Sequence, residues 1–299
     1  MGSFEQDAFV LRKYFLHDPG EEAAMLDVLG ARIDSSQGFV SFNGRVFDIP
    51  LMEMRFRMSL RKRVHLAGRP HLDLLFPARR LWKRVLPNCS LGTLESSILG
   101  VQRSDEDVPG EWIPGMYLDY LRTGDLSELK RVVYHNAIDI LSLVGLSVEI
   151  FNRHEAGAVQ TLTGAEALGV ARWHEGAGRA KSAESAFLTA VESEDGAVRV
   201  EALRHWTAHL KRSGQRETAA QAWEQWHDLA HADPRPCVEL AKYHEWQTKD
   251  LAQAADWSQR ALICLSHWPS DWRREQVWSE IEHRISRIVH KSGRGESPE

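Results

Sequence analysis

The sequence predicts an α/β domain followed by an all-α helical-repeat domain. Three observations carry this. Strand-like and helix-like segments alternate through Leu75. Beyond about Asn152 the character changes, and from Thr163 onward no strand candidate remains. From Gly178, small and aromatic residues recur at a period of roughly 35 residues. With 299 residues the chain is long enough for two cores, and 43% hydrophobic with 26% charged residues is a globular balance.

Ala8 to Leu16 (AFVLRKYFL) is aromatic and β-branched, which predicts a strand. His17-Asp18-Pro19-Gly20 is a turn, and Glu21 to Leu29 is a short amphipathic helix with its acids in the first turn. Gly38 to Phe42 predicts a second strand, closed by the turn Asn43-Gly44. A helix is expected from near Pro50 to about Leu60, since proline is tolerated in a first turn. His71 to Leu75 is a third, shorter strand candidate, and helices are expected at 77–86, 90–99, 115–122 and 126–151.

In the second half, Gly178 to Ala190 lines up with Gly214 to Trp226 and with Lys249 to Ala261. Ala183, Ala219 and Ala254 then share one position, and Ala190, Trp226 and Ala261 another. Such spacing resembles tetratricopeptide repeats, in which helix pairs stack; other helix-pair arrays fit as well. The expected division is 1–152 for the α/β domain, 160–292 for the repeats and a disordered tail over 293–299.

Composition excludes some classes. No uninterrupted apolar run approaches the roughly 20 residues that cross a bilayer, and no leader is visible, so the expectation is a cytoplasmic protein with no membrane partner. Cys89, Cys237 and Cys264 are scattered without CxxC spacing, which predicts neither a disulfide framework nor a zinc knuckle. The net charge of −5 argues against indiscriminate nucleic-acid binding, yet residues 55 to 84 hold ten Lys or Arg against one acid, Asp73. That block fits either a solvated face or a phosphate-contacting groove.

Three segments could carry chemistry. In Asn43 to Pro50 a strand and turn lead into a helix, which places Asp48 at a strand's C-terminal edge, where open α/β folds keep their sites. Phe47 is expected to anchor the turn in the core; the plainer role for Asp48 is a helix cap. In Tyr134 to Asp139, His135 and Asp139 are four apart and share one helix face, as a metal-binding pair or as an exposed polar stripe. Asp73 sits inside an apolar strand, where an isolated carboxylate is costly. It is therefore at a strand end, bonded to the basic block, or adjacent to a site.

The series NGRVFDIPL, HLDLLFPARRLW, CSLGTLESSILG, DVPGEWIPGMYLDYLRTGD and YHNAIDILSLVGL resembles, in order, the YprB-type ribonuclease H-like exonucleases of the DEDD superfamily. The resemblance covers about residues 5 to 151. Asn43 to Pro50 is also similar to the second exonuclease motif of family B polymerases, N-x-x-x-F-D-x-P. The resemblance implies that Asp48 and Asp139 occupy metal-ligand positions. His135 stands where one branch has tyrosine, and Tyr134 where another has histidine; His135 is preferred as the residue that orients water.

The superfamily's first motif, Asp-x-Glu on the opening strand, is absent before Ala8. The first half is thus expected to be an incomplete ribonuclease H-like domain lacking its first strands, through a start placed downstream of the true one rather than through loss.

What the resemblance implies is 3′–5′ exonuclease chemistry on DNA or RNA, with two Mg²⁺ or Mn²⁺ ions held by carboxylates such as Asp48 and Asp139. Asn43, Arg55, Arg79, Arg80 and Lys83 are the expected nucleic-acid contacts, with Asp73 and Tyr134 adjacent. Trp82 or Trp112 could stack on a base, although core packing is the plainer role. With two carboxylates only, the chain as given is expected to be inactive or weak. The alternative is a non-catalytic nucleic-acid-binding or protein-interaction scaffold that recruits a partner through the repeats.

Overall fold

The computed structural model describes residues 1–103, 108–155 and 158–295. The chain divides into two compact units, Met1–Glu155 and Ala156–Glu299.

The first unit opens with a hairpin. Strand β1 (Gly2–Glu5) pairs antiparallel with β2 (Ala8–Leu11), turning at Gln6, which takes a left-handed conformation. The expected strand to Leu16 stops at Leu11, because pairing closes with Arg12 against Met1 and the following residues gain no strand partner. Strand β1 itself was not legible: GSFE has no run of strand formers, and long-range pairing alone makes it extended.

A 3₁₀ turn at Pro19–Glu21, capped by Asp18, leads into helix α1 (Glu22–Asp34). Strand β3 (Phe39–Ser41), helix α2 (Asp48–Leu60) and strand β4 (His71–Asp73) follow, and β3 and β4 pair in parallel with Ser41 opposite Asp73. Parallel strands need a crossover, and α2 supplies it. Helix α1 packs on α2 through Leu26, Ile33, Ile49, Phe56 and Leu66, with Phe39 of β3 against the same cluster. That core fixes where β3 ends and α2 begins.

Helix α3 (Leu75–Trp82) starts two residues before the expected 77 and ends in a turn through Leu86. The expected helix 90–99 is a short α4 (Leu91–Leu94) that widens into a π turn at Glu95–Leu99. A 3₁₀ turn (Gly110–Trp112) enters α5 (Ile113–Thr123), and α6 (Ser127–His154) completes the unit. Asp107 of the fourth resembling block lies outside the described residues.

Helix α6 has no unbroken apolar run, yet its best window averages a mean hydropathy of 1.2, which by length and composition alone is enough to cross a bilayer. Here it packs against α5 and the Glu95 turn.

The second unit is helical throughout its described residues: α7 (Gly164–Gly176), α8 (Ala180–Val191), α9 (Gly196–Arg212), α10 (Arg216–Leu229), α11 (Pro234–Tyr243), α12 (Leu251–Ser266) and α13 (Trp272–Gly295). A π turn at His244–Thr248 extends α11. Sequential helices pack as α7 on α8, α9 on α10 and α11 on α12. The turns inside these pairs use left-handed residues at equivalent places, Gly178, Gly214 and Lys249. Ala183, Ala219 and Ala254 are all fully buried, as are Ala190 and Ala261, with Trp226 nearly so. Alanine at five of these six positions is what lets helices of a pair approach closely, and Trp226 fills the sixth. Helix α13 runs through Gly295, two residues past the expected start of the tail; residues 296–299 lie outside the described residues.

Candidate functional site

The turn after β3 is built around Asp73. Its carboxylate accepts hydrogen bonds from the backbone amides of Asn43 (2.7 Å), Arg45 (3.0 Å) and Leu75 (3.2 Å). Asp73 is buried, and those three donors are its compensation. Of the three roles open to it, the strand-end one holds: it ties the β3 turn to β4. Asn43 sits at φ 61°, a left-handed conformation that asparagine adopts more readily than most residues. Gly44 follows so closely on Ser41 that a Cβ there would meet Ser41 Oγ at 2.4 Å and Asp48 Oδ2 at 3.1 Å.

Two expectations about this turn are corrected. Phe47 is 65% exposed, and Ile49 anchors the helix start in its place. Asp48 is the first residue of α2 and makes no capping hydrogen bond. Its carboxylate is exposed, close to the amide-rich end of the helix, where a negative charge is favoured.

Asp48, His135 and Asp139 line one cavity of about 600 Å³, together with Tyr14, Ser41 and Met52. Residues far apart in sequence thus reach one hollow beside the C-terminal end of β3. The walls are mainly apolar.

Sequence reasoning missed the group that organises one side of this cavity. Arg103 donates to Asp139 Oδ1 (2.6 Å) and to Glu95 Oε2 (2.5 Å), and its third arm lies 2.9 Å from His135 Nδ1. A guanidinium has no acceptor, so Nδ1 of His135 must accept. The imidazole proton then sits on Nε2, which faces Asp139 Oδ2 at 3.3 Å. Glu95 is fully buried in the π turn, and its Oε1 has no partner among the described residues. Two carboxyl groups thus share one guanidinium, and Glu95 is the more deeply buried of the two. The one available signal was the acid inside CSLGTLESSILG; Arg103 itself lies in a stretch without periodicity.

These residues do not fit a pair of divalent cations as they stand. Both Asp139 oxygens are engaged, and among the described residues the only cluster of His, Cys, Asp or Glu tight enough for a metal lies in the second unit. No reaction step is therefore assigned to a metal here.

The remaining expected residues fall in three places. Arg55 is held in a two-pronged contact with Glu22 of α1, with Nε 2.6 Å from Oε1, and this pairing lowers the Glu22 carboxyl. Lys62 pairs with Asp27, and Arg69 with Asp34, so part of the basic block is the solvated face of α1 and α2. Arg79, Arg80 and Lys83 are exposed on and just beyond α3. Tyr134 is exposed on α6. Trp82 is buried with Arg153 over its ring, which excludes base stacking there, whereas Trp112 is exposed.

Parallel strands joined by a helical crossover, with acids gathered past the strand ends, define an α/β class that keeps its sites at that edge. The RNase_H superfamily model matches residues 1–150, and the chain belongs to that superfamily. It is 28% identical over 298 residues to the uncharacterized protein YprB of Bacillus subtilis (strain 168), an alignment covering 96% of this chain and 68% of that protein. No solved structure matches the chain.

Proposed function

We propose that the first unit is a nuclease-type module that takes a 3′ end of nucleic acid into the cavity of Asp48, His135 and Asp139. The convergence of these three residues on one cavity, in a chain of the RNase_H superfamily, carries the reading. Asp48 supplies a carboxylate without a side-chain partner, His135 an imidazole of defined tautomer, and the cations of α3 a track for phosphates. The resemblance of the motif series supports 3′–5′ polarity and the use of Mg²⁺ or Mn²⁺, for which the carboxylates as placed here would have to be released from Arg103. Residues 1–299 by themselves are expected to cleave weakly or not at all, because Asp139 is committed to Arg103 and His135.

That same commitment favours a second reading, a scaffold that binds nucleic acid without cutting it. In either case the stacked helix pairs of the second unit are suited to docking a protein partner, through the extended surface such arrays present.

A 3′-labelled single strand, incubated with the chain and Mn²⁺ or Mg²⁺, separates the two. Metal-dependent trimming that Asp48→Ala abolishes supports the nuclease. Binding with no trimming under either metal, by the parent and equally by an Arg103→Ala variant that releases Asp139, supports the scaffold. Trimming at equal rates by the parent and by Asp48→Ala would remove the site proposed here.

A further inference from the structure

The second unit contains a side-chain cluster unconnected with the cavity. His227 of α10, Cys237 of α11 and Cys264 of α12 bring their ligand atoms within 4.8 Å of one another. Cys237 Sγ lies 3.2 Å from His227 Nδ1 and 4.0 Å from Cys264 Sγ. A tetrahedral zinc with ordinary bond lengths holds two sulfurs about 3.8 Å apart and a sulfur and nitrogen about 3.6 Å apart. The sulfur pair is slightly longer than that and the sulfur–nitrogen pair slightly shorter, and the third pair lies within 4.8 Å, so the three ligand atoms need only small side-chain shifts to close on one ion.

We propose that His227, Cys237 and Cys264 form a binding site for one thiophilic transition-metal ion of the Zn²⁺ class, which clamps α10, α11 and α12 together. Two thiolates and one imidazole neutralise a divalent charge and match the soft ligands that zinc prefers over carboxylates. Both sulfurs are buried and His227 is half-buried, so an ion would reach the site past the imidazole. Three protein ligands leave a fourth position for water or for His231, whose ring lies 6.0 Å from that of His227. No spacing along the chain announces the cluster. The ligands stand 10 and 27 residues apart, spacings set by helix stacking rather than by a knuckle.

Two ordinary alternatives compete. A pair of buried cysteines can be small apolar fillers of a helix interface. Alternatively, the two sulfurs can be joined in a disulfide, which would consume both ligands.

The test uses the full chain, reduced and freed of metal, titrated with Co²⁺ and then Zn²⁺. One equivalent of Co²⁺ is expected to give thiolate-to-metal absorption in the near ultraviolet and visible bands of tetrahedral cobalt, both displaced by Zn²⁺. Zn²⁺ should also slow the reaction of Cys237 and Cys264 with a thiol reagent, while Cys89, buried as well, reacts at the same rate with and without the ion. Cys264→Ser should abolish the charge-transfer band. His227→Gln, at a half-buried position that tolerates change better, should keep sulfur absorption and weaken binding tenfold or more. The proposal is overturned by absent absorption with both thiols free, by a spectrum unchanged in Cys264→Ser, or by isolation of the pair as a disulfide.

Discussion

Asp73 shows how a charge inside an apolar strand becomes affordable. Its two oxygens collect three backbone amides from both sides of the β3–β4 pair, and no side-chain cation is needed. Asp73→Ala would leave those donors short of acceptors, each at a cost of about 1 kcal/mol or more, so a loss of roughly 3 kcal/mol is expected in urea unfolding. A loss below about 1 kcal/mol would mean that water replaces the carboxylate. The position of Asp73 was readable from sequence as a conflict between residue type and surroundings, but its resolution was not, because backbone amides leave no mark in a sequence. Asp48 and Asp139 were readable through motif order, whereas Arg103 was not. An arginine in an aperiodic stretch gains meaning only when folding sets it between Glu95, His135 and Asp139.

Elements were legible where a period ran long enough. The helices of the second unit follow from alanine spacing, and the matching positions Ala183, Ala219 and Ala254 are three fully buried side chains. Short strands were harder, since β1 depends on a partner that periodicity does not reveal. The intra-pair turns add a testable detail. Gly178 and Gly214 occupy the left-handed position freely, but the third turn places Lys249 there at φ 59°. A side chain in that region costs about 1 kcal/mol, so Lys249→Gly should raise stability by up to that amount and Gly214→Ala should lower it. Equal midpoints for parent and Lys249→Gly in denaturant would contradict this. The π turn just before Lys249 buries Glu245 among Arg284, Arg287 and Lys291 of α13. Burial pushes the Glu245 carboxyl up, but hydrogen bonds and charge from Arg287 and Lys291 outweigh it, and the net direction is down. A carboxylate held low contributes stability that is complete above its unfolded range and is lost as pH falls through its folded value. The stability difference between the parent and Glu245→Gln should therefore be full near neutrality. It should shrink only as pH drops below ~4, the ordinary carboxylate range. A difference independent of pH would assign the effect to packing.

At the scale of the whole molecule, a net charge of −5 means that affinity for nucleic acid must come from a local patch working against the global field. Three cations of the basic block, Arg55, Lys62 and Arg69, face acids of α1, and the exposed Arg79, Arg80 and Lys83 on and just beyond α3 are the proposed phosphate contacts. Each phosphate neutralised on a single strand contributes about −0.7 to the slope of log affinity against log salt. Three contacts give a slope of about −2, shallow beside that of a protein wrapped by its nucleic acid. Fluorescence anisotropy across a salt series should return that slope, and replacing all three residues by alanine should flatten it towards zero while leaving the fold intact. A steep slope that survives the replacement would place binding elsewhere, with the cations around Trp246 in the second unit the next region to examine.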